Sequence, residues 1–597
     1  MNRSAFFLST ISRWFTVFLV IAAFCQTALT QEPSAAPSPT ASPQIERELE
    51  VPPIAPEFRA RQMPLPELER VGVDMSQQRP LSLREAVGFA LENNKDIEVA
   101  RQNVKIAEFD LKGSQGIYDP KLTSSSYFER METPISSFLS GGSDGSTTLS
   151  DFTATMRLEG QSPKFGGSYH LDFSSIRQTT NNQFTALNPQ YPASFTFGYT
   201  QPLLRGLRFD SNRRQIEIAR KNLSLTDAQF RQKAIETITA VQQGYWDLVF
   251  ALRNMQIQRD AVRDARVQLD HNKRLVKEGQ LAPIDVVAAE AQVASFEQTL
   301  FTALEEVSGA ENRLKNLISS NRRDEIWSVA LIPTDPVDLT QPRVNLTEAM
   351  ETAMANRPEL QQLDVAKEIN QIDQKYFRDQ KKPAVDLVGS YGVLGLAGAI
   401  NSSGSNPFTA SSQQLRERVD LLSQLNDLPP LPILPQQTLS PDLIGGYPQS
   451  LQNLLSGRFT NFRVGVQVNL PLRNRTAEAQ LGRSLIEGQR IVTEREQLEQ
   501  NIQVDVRNAL QALRSSEARL QSAAVARETS EQQYESEKRK LDAGQSTVFL
   551  VLERQTALTT ARGNELRAQT DLNKASAELQ RATGNALTAN SIVVRVN

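Results

Sequence analysis

The chain contains the same plan twice. The segment opening at Leu83 aligns without gaps on the one opening at Leu346. Glu85 falls on Glu348, Ala86 on Ala349, Ala90 on Ala353, Asn93 on Asn356, Ile97 on Leu360 and Pro120 on Pro383, at a constant offset of 263 residues. Further along, an offset of 265 superposes Val241 on Val506, Gly279-Gln280 on Gly544-Gln545, Val286 on Val551 and Leu314 on Leu579. Self-similarity at a fixed offset means one structural unit used in duplicate, so any fold for this chain must be built of two like halves.

Each half reads as a helix, strands, a very long helix, a glycine-containing break and another helix. A helical pattern runs from Leu83 to about Gly113. The long helices are expected at about 211–277 and 283–319, then at about 477–542 and 547–583. Ile235, Ile238, Val241, Tyr245, Leu248 and Leu252 recur at spacings of three and four, which gives a helix one packed stripe. A helix of about 65 residues is roughly 100 Å long at 1.5 Å per residue, beyond the diameter of a globular domain. Alternating segments lie between the helices: 121–130, 152–160, 168–173 and 194–200 in the first half, 385–391 and 459–470 in the second. In Phe195-Thr196-Phe197-Gly198-Tyr199 and in Phe462-Arg463-Val464-Gly465-Val466-Gln467-Val468, large apolar residues alternate with small or polar ones. Such strands have two unlike faces, as in a membrane barrel or a half-buried soluble sheet. The Gly-, Ser- and Pro-rich stretch 392–457 reads as a long surface loop.

Arg3 and Arg13 precede an apolar run of about eleven residues, Trp14 to Phe24, then small and polar residues. The run is shorter than the roughly 20 residues of a spanning helix, so an export leader over residues 1–30 is the expectation and an anchor the alternative. Cys25 is the only cysteine. Phe24 is bulky where a lipid-attachment site takes a small residue, so Cys25 is assigned to the leader, with lipidation the open alternative. A Pro-rich extended linker follows over 31–80. The domain plan is then a first repeat at 81–330, a connector at 331–343, a second repeat at 344–585 and a tail at 586–597.

The order of these features resembles the TolC-like outer membrane efflux protein family, across roughly Leu81 to Asn585. The resemblance rests on Leu83-x-x-Ala86-x-x-x-Ala90 and Leu346-x-x-Ala349-x-x-x-Ala353, followed by Asn93 and by Asn356-Arg357-Pro358-Glu359. It rests also on the strand-to-helix junctions at Pro202 and Pro471, within Gln201-Pro202-Leu203-Leu204-Arg205-Gly206 and Leu470-Pro471-Leu472, and on the turns that open Gly279-Gln280 and Gly544-Gln545. It implies an α+β membrane protein: a homotrimer closing one β-barrel in outer-membrane lipid, continued by a long periplasmic α-helical barrel. The implied function is a passive channel of a tripartite efflux or type I secretion system, fed by an inner-membrane transporter through a periplasmic adaptor. By position, Gly279, Gln280, Gly544 and Gln545 would form the hairpin tips that dock the adaptor. Asp285 and Glu553 would line the periplasmic aperture, where a carboxylate ring favours cations; the alternative is that they are solvated acids near helix N-termini. Leu550, Ser546 and Leu541 stand where the family can carry an aspartate, an arginine and a gating tyrosine. The first half offers four strand-like segments where the family pattern has two.

The rival from another class is a periplasmic coiled-coil adaptor or scaffold, against which the strands and their Pro-terminated junctions argue. Lys and Arg total 65 against 68 Asp and Glu, so no net field recruits nucleic acid. No GxxxxGK[ST] loop is present, and energy must come from a partner. His170 and His271 each stand alone, without a second histidine at metal-ligand spacing. No enzyme chemistry, cofactor or metal is expected.

Overall fold

The computed structural model describes residues 69–135, 142, 145–339, 344–402, 407–429 and 439–592. The expected leader at 1–30, Cys25 included, and most of the expected linker lie outside the described residues. Strand β1 (Asp74–Leu81) already occupies the end of the stretch read as linker. Two helices, α1 (Leu83–Asn93) and α2 (Lys95–Gln115), replace the single helical run expected there. The break is built by Asn94, whose backbone leaves the helical region at ψ 129°. Its side-chain oxygen accepts from the Asp96 and Ile97 N–H groups, and its amide donates to the Leu317 carbonyl at 3.0 Å. An asparagine that satisfies the orphan donors of a new helix start makes the interruption stable.

Four antiparallel strands follow: β2 (Lys121–Pro134), β3 (Ser146–Gln161), β4 (Ser168–Thr180) and β5 (Leu187–Pro202). Then come α3 (Ser211–Lys277) and α4 (Pro283–Ile318), and β6 (Val329–Pro333), which pairs in parallel with β1. The second half runs α5 (Leu346–Asn356), α6 (Pro358–Gln380), β7 (Ala384–Ile400), α7 (Pro407–Leu425), α8 (Tyr447–Leu455), β8 (Phe459–Asn469), α9 (Arg475–Asp542), α10 (Val548–Ala582) and α11 (Ala586–Ala589).

The two halves pack alike. Ile238, Val241, Leu248, Leu314 and Ile318 of the first long hairpin form one core with Ala86 and Ala90 of α1. Ile502, Val506, Leu513, Leu572 and Leu579 form another with Ala349 and Ala353 of α5. Alanine on the short helices lets them approach closely, and each fully buried Val or Leu is worth about 1.5–3 kcal/mol of transfer free energy.

Strands β2-β3-β4-β5-β7-β8 form one sheet in that order, every neighbouring pair antiparallel. Five of them run longer than the alternating segments read from sequence, and β8 ends one residue short of the expected 470. The stretch 392–457, expected as one surface loop, is instead the distal half of β7 followed by α7, α8 and their connections. Its glycines serve packing. A Cβ on Gly395 would lie 2.2 Å from the Ser450 carbonyl oxygen of α8, so only glycine lets that helix rest on the strand. The Ser450 hydroxyl donates to the Tyr191 carbonyl, and the Asn453 amide donates to the carbonyls of Leu396 and Asp442 at 2.8 and 2.7 Å.

Candidate functional site

The two long hairpins turn at Gly279 and Gly544, where φ is +76° and +71°. Both turns carry the same pair of bonds. Gln280 N–H donates to the Leu275 carbonyl and Gly279 N–H to Val276; Gln545 N–H donates to Lys540 and Gly544 N–H to Leu541. The left-handed residue closes the first helix and reverses the chain, a geometry that costs a residue with a Cβ roughly 1 kcal/mol or more. The turns abut each other. Leu281 of the first packs on the Leu541, Val548, Val551 and Leu552 cluster of the second, and His271 Nε2 lies 3.7 Å from Asp542 Oδ1.

Asp285 sits in the first turn of α4, its carboxylate accepting from the Ala282 N–H at 3.2 Å. That is the helix-capping use of an acid at this position. Glu553 is exposed and lines an open, mostly apolar groove of about 1020 Å³ among α4, α9 and α10, with Ala288, Gln292, Ala523 and Phe549. The Gln292 amide donates to Thr556 Oγ1 across this groove at 3.1 Å. Gln280 and Gln545 are exposed, as are the apolar Ile284, Val287 and Phe549 just beyond the turns. Of the three family departures, Leu541 is buried in the tip cluster and Leu550 is exposed. The Ser546 hydroxyl bonds Glu537, and this bond, then Lys540, holds the Glu537 carboxyl below its ordinary range.

At the junctions, Pro202 ends β5 opposite Asp386 of β7. The chain then turns through Gly206 (φ +83°), whose N–H donates to the buried Asp379 at 2.7 Å. Pro471 follows β8, and Asn474, which caps α9, ties it to the Gln380 carbonyl at 3.0 Å. Sequence reasoning missed Arg213, whose guanidinium binds Asp210 and the carbonyls of Gly206, Leu207 and Arg208. Its i−3 spacing from Asp210 is that of any surface pair, and the other partners are backbone carbonyls that leave no mark in the sequence.

The sheet is amphipathic along whole register rows. Leu122, Leu158, Leu171, Phe197, Tyr391 and Phe462 stand opposite one another across all six strands on one face. The next row, on the other face, reads Lys121, Glu159, His170, Gly198, Ser390 and Arg463. On that face Arg157 lies 3.1 Å from Glu159 and 3.6 Å from Asp172, which in turn lies 3.7 Å from His170. His170 lies over Gly198, where a Cβ would come within 2.2 Å of the ring.

A sheet with one apolar and one polar face, continued through short junctions into helical hairpins whose long arms run 67 and 68 residues, has the fold of an outer-membrane channel. The family model described as outer membrane efflux protein matches residues 161–320 and 437–585, more than half of the chain, one segment in each repeat, and the chain belongs to that family. Solved structures share the fold. A membrane protein from Pseudomonas aeruginosa matches at 16% identity with a TM-score of 0.58, covering 84% of this chain and 92% of that one. The Campylobacter jejuni CmeC outer membrane channel matches at 14% and 0.56, covering 84% and 86%. The open state of the Neisseria gonorrhoeae MtrE outer membrane channel matches at 16% and 0.54, covering 85% and 89%. No curated protein sequence matches the chain.

Proposed function

We propose that the chain is the outer-membrane subunit of a tripartite efflux or type I secretion system. As a homotrimer it passively conducts substrate from an inner-membrane transporter to the exterior. The observation that carries this reading is the pair of adjacent register rows, apolar from Leu122 to Phe462 and polar from Lys121 to Arg463, that cross all six strands on opposite faces of the sheet. Lipid stabilises the first and water the second, and a bilayer tolerates such a sheet only when it is closed. The helical hairpins extend into the periplasm. Their tips at Gly279-Gln280 and Gly544-Gln545, flanked by exposed Ile284 and Phe549, dock the periplasmic adaptor, and Asp285 and Glu553 line the aperture. The test is to express the full chain, separate inner from outer membranes, and measure the native mass of the detergent-extracted protein. An outer-membrane trimer is expected. A soluble periplasmic monomer or dimer would overturn the reading in favour of an adaptor or scaffold.

A further inference from the structure

We propose that three copies of this chain close a barrel of eighteen strands, sealed where β8 of one copy pairs with β2 of the next, so that the extra β2–β3 hairpin is barrel wall. The proposal rests on the trimeric channel reading above and specifies its membrane interface.

Four observations carry it. First, β2 and β8 are the two edges of the six-stranded sheet, and every residue of both is exposed. An unpaired edge in hydrocarbon costs several kcal/mol for each unsatisfied backbone group, so both edges need a partner strand. Second, the directions match. Six strands alternate from β2 to β8, so β8 runs opposite to β2, and a second copy placed beside the first continues the antiparallel ladder. Third, the faces match. Leu122 and Phe128 at one edge share the apolar face with Phe462 and Val464 at the other. Fourth, closure at β4 would require stripping β3 from it, although the two are paired without interruption from Leu149↔Thr180 to Gln161↔Ser168. Closure at β2 breaks nothing.

Three chains of six strands make eighteen, in the range where barrels leave an aqueous channel instead of filling with side chains. At about 4.8 Å between strands and a tilt of about 40°, the backbone diameter is roughly 35 Å. The charged row from Lys121 to Arg463 then lines the water-filled lumen.

Cysteine pairs test the seam in the full-length protein, purified from outer membranes. All positions used lie on the polar face: Ser125→Cys or Tyr127→Cys on β2, combined in turn with Arg463→Cys, Gly465→Cys or Gln467→Cys on β8, which together scan the register. Ser174→Cys on β4 with the same β8 set tests the smaller closure, and single-cysteine variants give the background. After mild oxidation, at least one β2–β8 pair is expected to convert most of the protein into a covalent trimer on denaturing gels, at least tenfold above any β4–β8 pair. An intact native trimer that links through β4–β8, or through neither set, overturns the eighteen-strand seam and leaves the channel reading standing. Absence of any outer-membrane trimer overturns both.

Discussion

The two repeats agree where they pack against themselves and differ where each meets something else. Val241 and Val506 are both fully buried at matching points of their cores, and Leu314 and Leu579 likewise stand in matching surroundings. A turn or less from Leu314 along α4 the halves part. The first half buries a charge cluster in which Glu311 accepts from Arg70 at 2.7 Å and lies 3.3 Å from Lys315. Glu311 also accepts from the Leu331 N–H at 2.8 Å, and the Lys315 ammonium donates to the Trp327 and Val329 carbonyls. At the 265 offset the second half has Ser576 and Gln580. The difference tracks the small β1–β6 sheet, which packs Leu81 and Leu331 into the core of the first hairpin: the cluster fastens that sheet. The duplicated part of the sequence thus specifies the hairpin, and the unduplicated residues specify its attachments.

This asymmetry predicts the largest effect. Glu311→Ala leaves Arg70 and Lys315 buried without a counter-charge, and burial already pushes the Lys315 ammonium below its ordinary range. Removing one partner of a buried pair costs about 3–5 kcal/mol, whereas Ser576→Ala at the matching point should stay within about 0.5 kcal/mol. Denaturant midpoints followed by helical circular dichroism would show it; equal losses at both sites would mean that the cluster does not fasten the sheet. The shared core gives the opposite expectation. Leu314→Ala and Leu579→Ala should each cost about 2–5 kcal/mol, from lost transfer energy and the cavity left behind. The two values should differ by no more than about 1 kcal/mol, because Leu248 and Ala310 of the first core recur as Leu513 and Ala575 in the second.

A smaller contrast lies at the helix breaks, where Asn94 and Arg357 occupy the same place in the repeat. Arg357 is buried, donates to the Ala582 carbonyl at 2.9 Å and pairs with Asp505 and Glu359 at 3.0 and 3.2 Å. Arg357→Ala should cost about 2 kcal/mol through loss of charge-assisted bonds, and Asn94→Ala about 1 kcal/mol through loss of a cap. Thermal unfolding of the two variants in the same detergent measures the gap, and a reversed order would mean that the Asn94 amide bond to Leu317 outweighs the Arg357 pairs.

What was legible in the sequence divides along the same line. The long helices and their glycine turns were readable almost to the residue, because apolar positions recur over tens of residues and a tip needs positive φ. The strand cores at Phe195–Tyr199 and Phe462–Val468 were readable from alternation, but their ends were not. In Met131-Glu132-Thr133-Pro134 and Ser174-Ser175-Ile176-Arg177 the alternation fades, and strand pairing alone extends the element. Gly392 to Gly398 reads as part of a surface loop because the low-complexity stretch it opens lies between two strands, whereas Gly395 admits α8 onto β7 and Gly398 lies against Leu187 and Pro189 of β5. The Glu311 cluster was invisible for a different reason. A charge on a helix pattern reads as a solvated face, and only tertiary structure brings Arg70 to it from 241 residues away.

The tips extend the comparison to conduction. Asp285 already serves as a cap through the Ala282 N–H, and Glu553 has its carboxylate in an open groove. If both line the aperture, Glu553→Gln should reduce cation over anion permeability in planar bilayers more than Asp285→Asn does, and the double variant should reduce it most. Unchanged selectivity in all three would remove these residues from the aperture.

The smallest effect concerns the third residue of each turn, Leu281 in the first and Ser546 in the second. Leu281 is tied to the neighbouring tip by apolar packing, which no proton disturbs. Ser546 is tied to Glu537 by a hydrogen bond to the carboxylate, and that bond lowers the folded-state pKa below the ordinary 4.5. The stabilisation it supplies is therefore fully present above the unfolded-state value and lost as pH falls through the lower folded-state value. Ser546→Ala should lower the melting temperature slightly near neutral pH, and the difference from the natural protein should vanish as the medium is acidified past the carboxylate range. Leu281→Ala should instead lower it by an amount that does not change across the same range. A Ser546→Ala difference that persists in acid would show that the hydroxyl acts by packing, so that the third residue of each turn is held in the same way.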